Sequence, residues 1–137
     1  MTEAPRPGSV LLYPYLWHWQ DERGETEGRK ERPTVVVLIV PAKDGLRYAL
    51  LLPLTTKEPD SAREAIEVPV TEKRRAGLDR ARRQWILLDE YNLDPLQNSL
   101  YLRHEAIVGH FSDAFLRPLL LRFRTLLPSP RRVTRSG

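Results

Sequence analysis

The chain has 137 residues, enough to bury one hydrophobic core, and is read as a single domain. It has no cysteine, which excludes disulfides, thiolate metal sites and a cysteine nucleophile. Net charge is +4, from 22 basic and 18 acidic residues, and the longest apolar runs fall far short of the roughly 20 residues of a membrane helix.

Residues 1–6 carry prolines without apolar periodicity and read as a loose arm. The first twenty residues also lack the basic start and apolar stretch of a signal peptide, so a cytoplasmic protein is expected. Ser9 to Trp19, rich in leucine and aromatics, reads as a strand that Pro14 restricts to an edge or bulge. Gln20 to Glu31 is wholly polar, charged or glycine, the composition of a long surface loop.

Thr34 to Val40 is a continuous, largely β-branched run, the pattern of a strand covered on both faces. Lys43, Asp44 and Gly45 supply a turn before Tyr48 to Leu54, so the two runs predict a hairpin. A short edge strand is expected at Ile66 to Val70, a turn at Gly77 and another strand within Gln84 to Asp89. Phe115, Leu119, Phe123 and Leu126 recur at helical spacing, with Ser112 as N-cap and Pro128 beyond the last turn. Pro118 predicts either a kink or the start of the helix's regular part. The sum is a mainly β protein with a C-terminal α-helix: five or six short strands in a curved antiparallel sheet, with a core over about 7–127 and a basic tail over 128–137.

Positive charge is clustered at Lys73, Arg74, Arg75, Arg80, Arg82 and Arg83, and again at Arg131, Arg132 and Arg135. Such clusters attract polyanions, either nucleic acid or an acidic protein, and they also occur as plain solvated surface. Arg32, directly before a buried strand, can present a fixed fork of donors to phosphate, or can pair with Glu27 or Glu31. Thr55 and Thr56 stand just past a strand end, where a hydroxyl serves either an anionic oxygen or the local backbone. His18, His104 and His110 lack metal-ligand spacing, so no metal site is expected; His18 is either a general acid or base or a structural residue. Trp17 and Trp19 are either a stacking platform for unpaired bases or core residues.

The order and spacing of several segments resemble the PemK/MazF family of toxin endoribonucleases. These are Pro7-Gly8-Ser9-Val10, Arg32-Pro33 before its valine run, Leu54-Thr55-Thr56, Gly77-Leu78, Gln84, Leu88-Asp89 and Gly109-His110-Phe111-Ser112. The likeness spans about Pro7 to Leu127. It implies an SH3-like barrel of the CcdB/PemK type, usually a homodimer. Such a protein cleaves single-stranded RNA without a metal or other cofactor, through a 2′,3′-cyclic phosphate, and is silenced by a cognate antitoxin. By that resemblance Arg32 and Thr55 are catalytic and Glu27 accepts the 2′-hydroxyl proton. Thr56, His18, Arg80, Arg82, Arg83 and Gln84 are the expected RNA-binding set. The chain departs from the family where it has Arg83 in place of an acid and apolar Ile86 in place of a basic residue, and where the serine after Gly77 is absent. Three alternatives follow: a non-catalytic RNA- or antitoxin-binding barrel, a CcdB-like gyrase-binding toxin, and a β-barrel domain that meets an acidic protein.

Overall fold

The valine-rich run and its neighbour form the central hairpin, β2 (Arg32–Pro41) and β3 (Arg47–Thr55). The computed structural model describes residues 4–24, 30–97, 99–127 and 131–134. Alternating residues of the hairpin face two separate apolar clusters, so both faces are covered. Val35, Val37, Leu50 and Leu52 join one cluster, and Val36, Ala49 and Leu51 the other. The turn closes as expected: Ala42 N donates to Leu46 O, and Gly45 takes the left-handed conformation at φ 82°.

Around this hairpin lie β1 (Ser9–Tyr13), β4 (Ala65–Glu67), β5 (Trp85–Leu87), β6 (Glu90–Pro95), β7 (Ile107–His110) and β8 (Arg131–Thr134). Along one path the order is β4-β5-β3-β2-β1-β7, while β6 pairs with the first half of β3 and carries β8 on its other side. One side of β3 is therefore shared, by β6 at Tyr48–Leu51 and by β5 at Leu54–Thr55. The fold is mainly antiparallel β with a C-terminal helix, as expected, and the sheet is not closed into a barrel among the described residues. No helix of the described residues is long and apolar enough to cross a membrane.

Several expectations are corrected. β1 ends at Tyr13, before Pro14, and it is an interior strand whose bulge lies on the β7 side, between Val10 and Leu11. Residues after it turn into a short helix, α1 (His18–Glu22), where strand had been expected. Val70 opens a second helix, α2 (Val70–Arg75), instead of closing a strand. Residues 131–134, expected within a loose tail, form β8 parallel to β6, with Val133 buried. The first six residues are not wholly loose either: Pro5 is buried, and Arg6 N donates to Ser9 Oγ at 2.9 Å.

The C-terminal helix, α3 (Asp113–Leu126), lays Leu116, Leu119 and Phe123 against the larger cluster. Ser112 caps it by accepting from Phe115 N, and its hydroxyl donates to Glu72 Oε2 at 2.6 Å, tying α3 to α2. Pro118 lies inside the helix, which begins five residues earlier, so Pro118 does not start its regular part.

Candidate functional site

The register of the central hairpin decides which side chains meet. Thr34 pairs with Pro53, Val35 with Leu52 and Val36 with Leu51; continued two residues outward, this register sets Arg32 across from Thr55. Directly opposed residues of an antiparallel pair point to the same face and lie about 5 Å apart at Cα. Nearer the turn the pairing shifts by one, Leu38 with Leu50, because Val37 is an extra residue bulged out of β2. Without that bulge the outer register would set Arg32 across from Thr56.

At this end of the sheet a cleft of about 360 Å³ opens, and Arg32, Thr55, Thr56, Arg82 and Gln84 all line it. Five of the residues singled out from sequence are thus brought together by three strand ends. Thr55 Oγ1 accepts from Lys57 N at 3.1 Å, which occupies the hydroxyl oxygen locally and leaves its O–H to donate elsewhere. Gln84 is buried, with Nε2 donating to Asp79 O at 3.3 Å.

Arg32 is half-buried and, among the described residues, makes no ion pair; the expected alternative of a bridge to Glu31 is not formed. Its guanidinium instead lies over the Trp17 ring, 4.7 Å from the centroid, and its Nε is buried without a hydrogen-bond partner. Burial pulls its pKa below the ordinary arginine value, yet a guanidinium stays charged at any working pH. Among the described residues, this cation is held by stacking and no carboxylate neutralises it; Glu27, the other expected partner, lies outside them.

The far wall is built by the segment after α2. Leu78 N donates to Lys73 O and Gly77 N to Arg74 O, a Schellman closure with Gly77 left-handed at φ 69°. Lys73, expected in an exposed basic cluster, is buried: its Nζ donates to the carbonyls of Arg80 and Arg82 at 3.3 and 2.8 Å and so fixes the loop that carries Arg82. A Cβ at Gly77 would be driven into the Val108 carbonyl oxygen. Gly77→Ala should therefore cost at least about 2 kcal/mol from backbone strain and overpacking together, read as a lowered urea midpoint.

Three other expected residues lie outside the lining of this cleft. Arg83 is held by Glu67, at 2.9 and 2.8 Å, and packs over Trp85. Arg80 is exposed and touches the wall only through its carbonyl. His18 sits in α1 with Nε2 2.7 Å from Glu22 Oε1. Glu27 lies outside the described residues. Sequence reasoning did not single out Lys30 for this site and considered Glu31 only as a partner of Arg32, yet both are exposed and line the cleft. Their position next to the start of β2 was the available signal. Among the described residues no group of three His, Asp or Glu side chains is arranged to hold a metal ion.

No family model matches the sequence, and no curated protein matches it.

Proposed function

We propose that this chain is an endoribonuclease toxin of the PemK/MazF type, acting on single-stranded RNA in the cytoplasm and held in check by an antitoxin that fills the cleft. One observation carries the reading: a guanidinium without an ion pair among the described residues and a threonine hydroxyl, far apart in sequence, line the same open cleft. A phosphodiester seated there offers its non-bridging oxygens to Arg32 and to the Thr55 O–H. The ribose 2′-oxygen attacks phosphorus, the P–O5′ bond breaks, the 2′-hydroxyl proton passes to a base and the 5′-oxygen gains a proton. Arg32 and Thr55 act where negative charge accumulates on the phosphorane, the point at which fixed donors lower a barrier most. Glu31 and Asp79 line the cleft and are carboxylates for the proton; Glu27, which the family resemblance names for that role, lies outside the described residues. Lys30, Arg82 and Gln84 would steer the strand. On this reading the sheet, bent where β3 changes partner, is the wall of an SH3-like barrel, and the working form is a homodimer.

Purified protein should cut single-stranded RNA in the presence of EDTA, leaving 2′,3′-cyclic phosphate and 5′-hydroxyl ends by end mapping. RNA that stays whole with folded protein rejects catalysis. Arg83 bound to Glu67, and Ile86 wholly buried in the core, favour a second reading in which the barrel binds RNA or antitoxin without cutting. Salt-dependent binding without product would select it.

A further inference from the structure

The cleft has a neighbour at Thr55. That residue also lines a second recess of about 400 Å³, which shares Trp17 and Trp19 with a third of about 320 Å³, and the third returns to Arg32 and Lys30. The three spaces are neighbours that share lining residues around Arg32 and Trp17. The second recess differs from the first in chemistry. It is lined by two indoles, Pro59 and Leu87, together with the charged residues Lys57, Glu58, Asp60 and Arg63.

Both indoles are engaged in ways that fix them. Trp17 packs edge-on against Tyr15, with ring centroids 5.0 Å apart, and lies under Arg32. Tyr15 is anchored in turn, its hydroxyl donating to Glu90 at 3.2 Å. Trp19 has the Arg23 guanidinium 5.0 Å from its ring centroid and is still 44% exposed. An indole that stays this exposed and lines a recess offers surface to a flat π system. The charged residues can read an edge. Arg63 is fixed by Asp89 and Glu90 through Nε and Nη2, and its Nη1 has no partner among the described residues. Asp60 accepts from Ala62 N through Oδ1 alone, leaving Oδ2 as an acceptor. Donor and acceptor thus border one aromatic slot.

We propose that this recess is a base-binding subsite: it takes one unstacked nucleobase of the strand whose phosphate lies between Arg32 and Thr55, stacking it on Trp19 and reading its edge with Arg63 and Asp60. This rests on the nuclease reading for the phosphate, and it assigns sequence selectivity to the α1 side of the cleft. A free aromatic small molecule is the competing occupant. Adjacency to the anion cleft, with which the recess shares Thr55, favours the nucleotide.

The test uses the full chain and a fluorescein-labelled single-stranded 2′-O-methyl oligoribonucleotide, which cannot be cut, followed by anisotropy over a salt series. Trp19→Ala should weaken binding about tenfold, the scale of one lost base stack, without changing the salt slope. Trp19→Phe should restore most of the affinity. Arg32→Ala should lower the slope by about one, because it removes a phosphate contact. Wild-type affinity in a folded Trp19→Ala protein, or a changed slope in that variant, overturns the subsite, and so does absence of binding by the wild type. If the Trp19 effect appears but unmodified RNA is not cut, the subsite stands and the nuclease reading falls.

Discussion

Replacing Arg32 by alanine is expected to lower RNA cleavage by about 10³-fold, the scale on which a transition-state cation or oxyanion donor acts. A smaller part of the loss should fall on binding, because the phosphodiester is already an anion, and the larger part on turnover, because the second negative charge builds only on the phosphorane. Stability should drop by no more than about 1 kcal/mol, the size of the stack on Trp17. No partner would be orphaned, since Arg32 makes no ion pair among the described residues and its Nε bonds to nothing there. Arg32→Lys should recover only part of the activity: an ammonium keeps the charge but neither the fork nor the planar stack. End mapping alongside thermal melts checks both halves, and a variant that cuts at the wild-type rate removes Arg32 from the chemistry.

The largest stability effect is expected at Arg63. Its guanidinium meets Asp89 through two bonds, at 2.5 and 2.6 Å, and Glu90 at 3.2 Å. Glu90 is buried and also accepts from Tyr15 and from His18 N. Burial pushes the Glu90 carboxyl up from its ordinary value of 4.5, while the His18 N–H, Arg63 and Tyr15 pull it back. Arg63→Ala leaves that carboxylate buried without its cation, a loss of about 3 kcal/mol at neutral pH. The sign of the pH dependence follows. A carboxyl whose folded pKa lies above its unfolded one contributes stability below 4.5 and loses it as pH climbs through the folded value. Without Arg63 the folded value rises further, so the deficit of the variant should be larger at pH 7 than at pH 4. Urea melts at the two pH values measure it, and adding Glu90→Gln should return part of the loss at neutral pH. A deficit that does not shrink in acid would place the cost in lost packing instead.

The hairpin was legible from two continuous apolar runs separated by turn residues, and the closing helix from apolar residues that keep a helical period over more than ten positions. β6 was not, because its pattern is inverted. Glu90, Asn92 and Asp94 point inward, where Tyr15, the Leu16 backbone, Tyr13 and Ser99 hydrogen-bond to them, so polar residues occupy the places where a strand signal requires apolar ones. α2 escaped for a similar reason: its buried members are Glu72 and Lys73, which read as surface. In the site, Arg32 and Thr55 stood out as polar groups at strand ends, and only the family resemblance gave them a catalytic role. Their alignment could not be read, since it depends on the bulge at Val37, and an unbroken valine run gives no sign of which residue will be extra. The basic cluster misled in proportion to its uniformity: Lys73 is interior, Arg83 is paired and Arg82 alone of the six lines the cleft.

The parallel strand β8 has a consequence for how copies of the chain meet one another. β6, six residues long, has β3 on one side, and β8 occupies the other. The two strands that end the main path, β4 and β7, have only three and four residues. Unpaired amide edges are adhesive in proportion to their length, and short ones template poorly. Self-association through strand addition is thereby discouraged, which leaves side-chain surfaces as the route by which two copies would join.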